Sequence, residues 1–224
     1  MAFAKAVRIL TGRIRDQGLR TTVLWALDHA VRIVGGAPVR GLSQITPQIH
    51  LGGQHNRRGW RTLRARGVSA VVNMRIEYDD RAEGIAPERY LRLPTVDETA
   101  PTLAHLEQGV AFLEREIADG GVVYVHCASG IGRAATLVAA YLVRQGLSPE
   151  QAWARIQARR PFVRPEPAQV ARLAEYAAQS CHRGPLPTSG KRGDEAISGD
   201  SCMSLGDRFV AEPPRDDSVK ADRP

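Results

Sequence analysis

Residues 122–136, VVYVHCASGIGRAAT, constrain the fold more than any other stretch of the chain. Val122, Val123, Tyr124 and Val125 form the short β-branched and aromatic run of a buried strand. Ala134 to Arg144 contains neither Gly nor Pro, and its apolar residues suit a mostly buried helix. Between them lies a turn holding His126, Cys127, Gly130, Gly132 and Arg133. A buried strand that turns directly into a buried helix argues for an α/β architecture, with the turn at the strand's C-terminal end.

Cys127 and Arg133 alone are a weak signal, since 3 cysteines and 28 arginines stand among 224 residues. Adding His126 before the cysteine and Gly130 three positions after it lowers the chance expectation to roughly one in a thousand. The chemistry explains the grouping. A thiol of ordinary pKa, about 8.5, is mostly protonated at neutral pH, and the thiolate is the nucleophile. Successive N–H groups of a tight loop form an anion-binding concavity, and a helix N-terminus adds partial positive charge. Both favour Cys127 as a thiolate and a phosphate bound beside it. Gly130 and Gly132 allow backbone conformations that a side chain forbids. Arg133 offers a planar fork of donors that can hold two phosphate oxygens. His126 reads as a residue that orients the loop by hydrogen bonding rather than as an acid. These are the parts of a cysteine-dependent phosphate-ester hydrolase. The alternative is a buried structural cysteine beside an exposed arginine.

The octapeptide His126-Cys127-Ala128-Ser129-Gly130-Ile131-Gly132-Arg133 resembles the HCxxGxxR loop of the protein tyrosine phosphatase superfamily, in its small dual-specificity branch. The likeness runs from Ile45 to Tyr176. ITPQIHLGG (45–53) is similar to the family's opening strand, and GVSAVVNMRIEYDD (67–80) to the strand and loop that follow. LRLPTVDETAPT (91–102) resembles the loop carrying the general acid, and LVRQGLSPEQAWARIQARRPFVRP (142–165) the two closing helices. The order is most similar to that of the mitochondrial-type phosphatidylglycerophosphate phosphatases and their bacterial and plant relatives. The resemblance implies a phosphocysteine intermediate on Cys127 that water hydrolyses, and no metal or other cofactor. Arg133 would clamp the phosphate, and the backbone from Ala128 through Ser129, Gly130, Ile131 and Gly132 to Arg133 would cradle it.

A leaving alkoxide or phenoxide needs a proton, so a carboxylic acid should stand on a separate loop. Asp97, 30 residues before Cys127 and just past the apolar stretch Tyr90 to Leu93, is the candidate, with Glu98 as the fallback. The other readings of Asp97 are a solvated turn carboxylate or a cap for the helix after Pro101. Two positions depart from the family pattern. Ala134 stands where a Ser or Thr usually follows the arginine, so the nearest hydroxyls are Ser129 and Thr136; this bears on phosphoenzyme hydrolysis. Ala128 and Ile131 stand where lipid-directed relatives often carry basic residues.

The punctuation gives an alternation of strands and helices, an α/β fold with a central, mostly parallel sheet flanked by helices. Strands are expected at 48–52, 69–74, 90–93 and 122–126, and helices at Leu103 to Ala118 and from Pro167 to about Gln179. Ser148-Pro149-Glu150-Gln151 reads as an N-cap, a first-turn proline and a capping-box Gln. No His/Cys/carboxylate group has metal-ligand spacing in the sequence. Residues 43–182 are expected to form the catalytic domain. Residues 183–224 turn to Gly, Pro, Ser and charges without apolar periodicity, a disordered composition. Cys181 and Cys202 lie near or within that stretch, which argues against a disulfide framework and suits a reducing, cytoplasmic compartment. No apolar run is long enough to span a bilayer.

Residues 1–42 hold 7 basic and 2 acidic residues, with apolar residues at helical spacing in Val23, Leu24, Leu27, Val31 and Val34. Such a segment either lies peripherally on an anionic membrane surface or packs on the catalytic domain with its arginines in solvent; the second is preferred. Nucleic acid is not an expected partner, because aromatics are only 5% and do not interleave with the basic residues. The expected partner is a phosphorylated protein or a phospholipid substrate. Two other readings remain open: a pseudophosphatase that binds phosphate without turnover, and a rhodanese-like sulfurtransferase, which gives no reason for an acid at Asp97.

Overall fold

The structure, a computed structural model, describes residues 11–181. Its strands are β1 (Gln44–Thr46), β2 (Ile49–Gly52), β3 (Ala70–Arg75), β4 (Arg89–Thr95) and β5 (Val123–His126). Its helices are α1 (Leu19–Gly35), α2 (Arg40–Ser43), α3 (Arg57–Ala65), α4 (Leu103–Ala118), α5 (Arg133–Arg144), α6 (Pro149–Arg159) and α7 (Pro167–Cys181). The sheet order is β1-β2-β5-β3-β4, parallel throughout except for the β1–β2 pair. This is the expected α/β fold with a mostly parallel sheet flanked by helices.

β5 lies between β2 and β3, with His126 level with Gly52 and Asn73. Because these strands run parallel, the chain leaves β2, β3, β4 and β5 at the same edge of the sheet, where their loops gather. Alternate residues of β5 serve opposite faces. Val123 and Val125 join a large cluster with Ile49, Leu51, Val72, Met74 and buried residues of α4–α7, such as Leu106, Leu137, Ile156 and Leu173. Tyr124 points into a smaller cluster with Leu63, Val68 and Val71, against α3. Apart from its last turn, α5 is almost wholly buried, which its unbroken apolar run requires.

The expected strands appear with their ends displaced by a residue or two. The capping box at Ser148 forms with both hydrogen bonds. β1 went unanticipated because three residues carry no readable alternation. So did α3, whose RRGWRTLRA has a glycine and four arginines on a helix that buries only Gly59 and Leu63. The tail at 183–224, with Cys202, and residues 1–10 of the basic segment lie outside the described residues.

Two buried histidines set a pH dependence. Burial, then the nearby Arg66 and Arg40, lowers the pKa of His50 to about 4. Burial, then neighbouring His126, does the same for His55, to about 4. Between about 6.5 and 4 the unfolded chain takes up protons that the folded one refuses, so this contribution is present above 6.5 and lost as pH falls. For His55 the expected loss by pH 5 is roughly 2 kcal/mol. Denaturant unfolding at pH 7 and pH 5 measures it, and His55→Phe should make stability less sensitive to pH over this interval. An unchanged slope in that variant would contradict this assignment.

Candidate active site

Cys127 directly follows β5 and is buried. The Gly130 N–H donates to its Sγ at 3.2 Å. Among the described residues, the remaining amides of the 128–132 loop have no protein acceptor. Arg160, fully buried, explains their direction. Its Nε donates to the Gly130 carbonyl at 2.9 Å and its Nη2 to the Ser129 carbonyl at 3.0 Å. Across a planar trans peptide the carbonyl and the next N–H point opposite ways. Drawing these two carbonyls toward Arg160 therefore turns the Gly130 and Ile131 amides away from it, and the Gly130 amide reaches the sulfur. The Ala128 carbonyl is held from outside by the Gln54 N–H at 3.1 Å. Ser129 and Ile131 are partly exposed at the rim.

Gly130 has φ +69, and a Cβ there would lie 2.3 Å from the Gly52 carbonyl, so only glycine fits. Gly132 differs from the sequence expectation. Its φ is −115, outside the left-handed region, and a Cβ there would lie 2.7 Å from Gln169 Oε1, so a side chain would have to displace the Gln169 amide from its bonds to Glu166 and Thr99.

Arg133 begins α5 with its side chain 1% exposed. Its Nη1 and Nη2 each meet a Glu77 carboxylate oxygen at 3.0 Å, a bidentate pair. Nη1 also donates to the Thr95 carbonyl at 2.8 Å, and Nη2 lies 2.8 Å from Asp97 Oδ1. Among the described residues the Arg133 Nε is buried without a partner, a donor that suits an oxyanion. The hydrogen bond from Arg133 holds the Glu77 carboxyl down to about 2. Burial alone would weaken the charge of Arg133, but Glu77, Cys127 and Asp97 outweigh it and raise its pKa.

Asp97 lies two residues past β4, largely exposed. The turn carrying it closes through Thr99, whose N–H and Oγ1 donate to the Val96 carbonyl, and Gln169 Nε2 holds the Thr99 carbonyl at 2.9 Å. Glu98 is exposed with φ +61. The helix after Pro101 is capped by Thr102, which accepts from His105 N–H, so Asp97 is not that cap. Ala134 is fully buried, and the Thr136 hydroxyl is turned back to the Gly132 carbonyl at 3.1 Å. Among the described residues no hydroxyl contacts the Cys127 sulfur.

His126 Nε2 shares a 2.6 Å hydrogen bond with Asp80 Oδ2, both side chains fully buried, and its Nδ1 lies 3.4 Å from the Cys127 carbonyl. Burial would raise the Asp80 pKa, but the hydrogen bond and charge of His126, with His55 and the Gln54 hydrogen bond, together outweigh it and lower it. The loop after β3 that supplies Glu77 and Asp80 is pinned by Tyr90, whose hydroxyl donates to Asp79 and accepts from the Asp80 N–H and Asn73 Nδ2. His55 stands against this pair, so that His55, Asp80 and His126 present ligand-type atoms within 4.8 Å of one another, a grouping that sequence spacing does not reveal. A separation of 2.6 Å between two donors is shorter than the roughly 3.3 Å edge of a tetrahedral zinc site. The pair is therefore spaced to share a proton rather than a metal.

The structure thus gathers Cys127, Arg133, Asp97 and the 128–133 backbone at one place, with His126 behind the loop. Sequence reasoning missed Glu77, Asp80, Arg160 and Gln169. Arg160 is one of 28 arginines, and nothing local marks it. Glu77 and Asp80 lie in a segment already expected to be a loop after a strand, the only signal available.

The family model for "Dual specificity phosphatase, catalytic domain" matches residues 49–179. The chain is 35% identical over 156 residues to human dual specificity phosphatase 28, covering 66% of this chain and 87% of that protein. It is 34% identical over 168 residues to human phosphatidylglycerophosphatase and protein-tyrosine phosphatase 1, covering 70% and 83%. Its fold is similar to the crystal structure of PTPMT1 in complex with PI(5)P, with a TM-score of 0.58 and 33% identity, over 62% of this chain and 96% of that one.

Proposed function

We propose, from the premise that the chain belongs to the dual specificity phosphatase family of phosphoric monoester hydrolases, that it hydrolyses phosphate monoesters through a phosphocysteine on Cys127. The observation that carries this is the set of donors around a buried sulfur: the Gly130 amide on the sulfur itself, the other loop amides without a protein acceptor among the described residues, and Arg133 Nε. In the first step the Cys127 thiolate attacks phosphorus, the P–O bond to the leaving group breaks, and protonated Asp97 gives that oxygen its proton. In the second step water attacks phosphorus and the P–S bond breaks. Asp97 takes the water's proton, releasing inorganic phosphate and restoring the thiolate. A phosphate in the cradle competes for the Arg133 donors that Asp97 holds at rest, which frees Asp97 for the leaving group. His126, backed by Asp80, holds the loop through the Cys127 carbonyl. Residues 43–182 form the catalytic unit, and a reducing, cytoplasmic compartment suits the thiolate.

The substrate class we favour is a phospholipid monoester such as phosphatidylglycerophosphate. Support comes from the relative named as a phosphatidylglycerophosphatase and the related structure holding PI(5)P. A phosphoprotein is the second reading, supported by the 35% identity to dual specificity phosphatase 28. Phosphate release across phosphatidylglycerophosphate, phosphoinositides and phosphopeptides separates them; phosphopeptide turnover without lipid turnover refutes the first.

Asp97→Ala tests the acid. Alkyl phosphates, whose leaving groups need a proton, should slow by about 10²–10⁴-fold, and activated aryl phosphates far less. Equal losses for both would remove Asp97 from this role. Stoichiometric phosphate binding by the parent chain without turnover would instead support a binding module, the alternative that Ala134 keeps open.

A further inference from the structure

We propose that α1 is a docking face for an anionic lipid bilayer. A surface helix ordinarily turns its apolar stripe to the core and its polar side to water. α1 does the reverse. Thr22 and Asp28 are its buried residues, and Trp25, His29 and Arg32, on the same side, are partly buried. Leu19, Val23, Leu27, Val31 and Val34, spaced by three and four, form one continuous stripe, and they are exposed from 38% (Val31) to 73% (Val34). Ile33, 63% exposed, widens it.

The inversion has a structural cause. Asp28 Oδ2 pairs with Arg160 Nη2 at 3.0 Å in the protein interior, and its Oδ1 accepts from the Val39 N–H at 2.9 Å. Arg32 Nη1 donates to the Gln54 carbonyl at 3.2 Å. These polar anchors fix the rotation of the helix, and with it the outward direction of the apolar stripe. The same anchors tie α1 to the phosphate loop: Arg160 holds the Ser129 and Gly130 carbonyls, and the Gln54 N–H holds that of Ala128. A surface engaged by α1 is thus engaged by the element that buttresses the catalytic loop.

Charge selects the occupant. Residues 1–42 carry 7 basic and 2 acidic residues, and both acids are committed, Asp28 to Arg160 and Asp16 to Arg164. Arg15 and Arg20 are exposed and form no ion pair among the described residues. An exposed apolar stripe flanked by uncompensated arginines fits acyl chains beneath anionic head groups. A second copy of the chain would set one basic segment against another, which like-charge repulsion opposes.

The test is sedimentation of the full chain with vesicles of phosphatidylcholine, with and without phosphatidylglycerol. Neither lipid is a phosphate monoester, so neither is turned over, and because phosphatidylglycerol is the product of the favoured substrate, variants of the stripe that leave the active site intact separate docking from product binding. Binding should require phosphatidylglycerol and weaken with salt. The variant Leu19→Gln/Val23→Gln/Leu27→Gln should lose about tenfold or more in partitioning, and Arg15→Glu/Arg20→Glu should lose the preference for anionic vesicles. Turnover of a soluble aryl phosphate should stay unchanged in both, which checks folding. No binding to either vesicle, or binding untouched by these substitutions, overturns the proposal. So does a concentration-dependent dimer that the Gln variant dissociates, which would make the stripe a self-association face.

Discussion

Cys127→Ser is expected to abolish turnover of every phosphate ester, activated aryl phosphates included. Removing a covalent nucleophile costs on the order of 10⁶-fold elsewhere, and the 128–133 loop holds no second thiol. Oxyanion binding should survive, because the loop amides are aimed by Arg160 from outside and Arg133 is held by Glu77 and Thr95, none of which involves the sulfur. A bound oxyanion stabilises the fold by RT ln(1 + [L]/Kd), so the rise in Tm with tungstate should be similar in the variant and the parent. Substantial residual turnover would remove Cys127 from the mechanism. Lost tungstate stabilisation in a folded variant would mean that the sulfur, rather than the amides, organises the cradle.

Arg133→Lys is expected to slow all substrates about 10³-fold or more, whatever their leaving group, the scale on which an arginine contact to a transferring phosphoryl group acts. An ammonium keeps the charge but not the fork. Glu77 and Asp97 together engage both terminal nitrogens of Arg133, while Nε remains for phosphate. A lysine cannot satisfy the two carboxylates and an oxyanion at once. Glu77 would then lose the main partner that holds its carboxyl near 2, keeping Arg75 at 2.8 Å, and its less compensated negative charge would oppose a phosphate dianion. The variant Arg133→Lys/Glu77→Gln should therefore bind tungstate better than Arg133→Lys alone, without recovering the rate. Leaving-group-dependent losses in Arg133→Lys would reassign it to the acid step. The contrast with Asp97→Ala, where the leaving group decides the loss, separates clamp from acid.

Much of this protein was legible before any coordinates. The strand–turn–helix at 122–136 required a buried β5, an α5 without Gly or Pro, and a loop of Cys127, Gly130 and Arg133 between them, because side-chain shape and backbone freedom are local properties. Asp97 was legible as a carboxylate just past a strand, and the capping box at Ser148 as a four-residue pattern. What the sequence could not decide is what depends on partners far along the chain. Arg160 lies 30 residues from the carbonyl of Gly130 that it holds, Glu77 lies 56 from Arg133, and Asp80 lies 46 from His126. The rotation of α1 is the clearest case. Its apolar periodicity was plain in the sequence and suggested a buried stripe. Asp28, pairing with an arginine 132 residues away, turned that stripe outward. Periodicity reports which residues share a face; only the tertiary structure decides which way that face points, because a buried, hydrogen-bonded charge pair cannot be traded for solvent without leaving its partner unpaired.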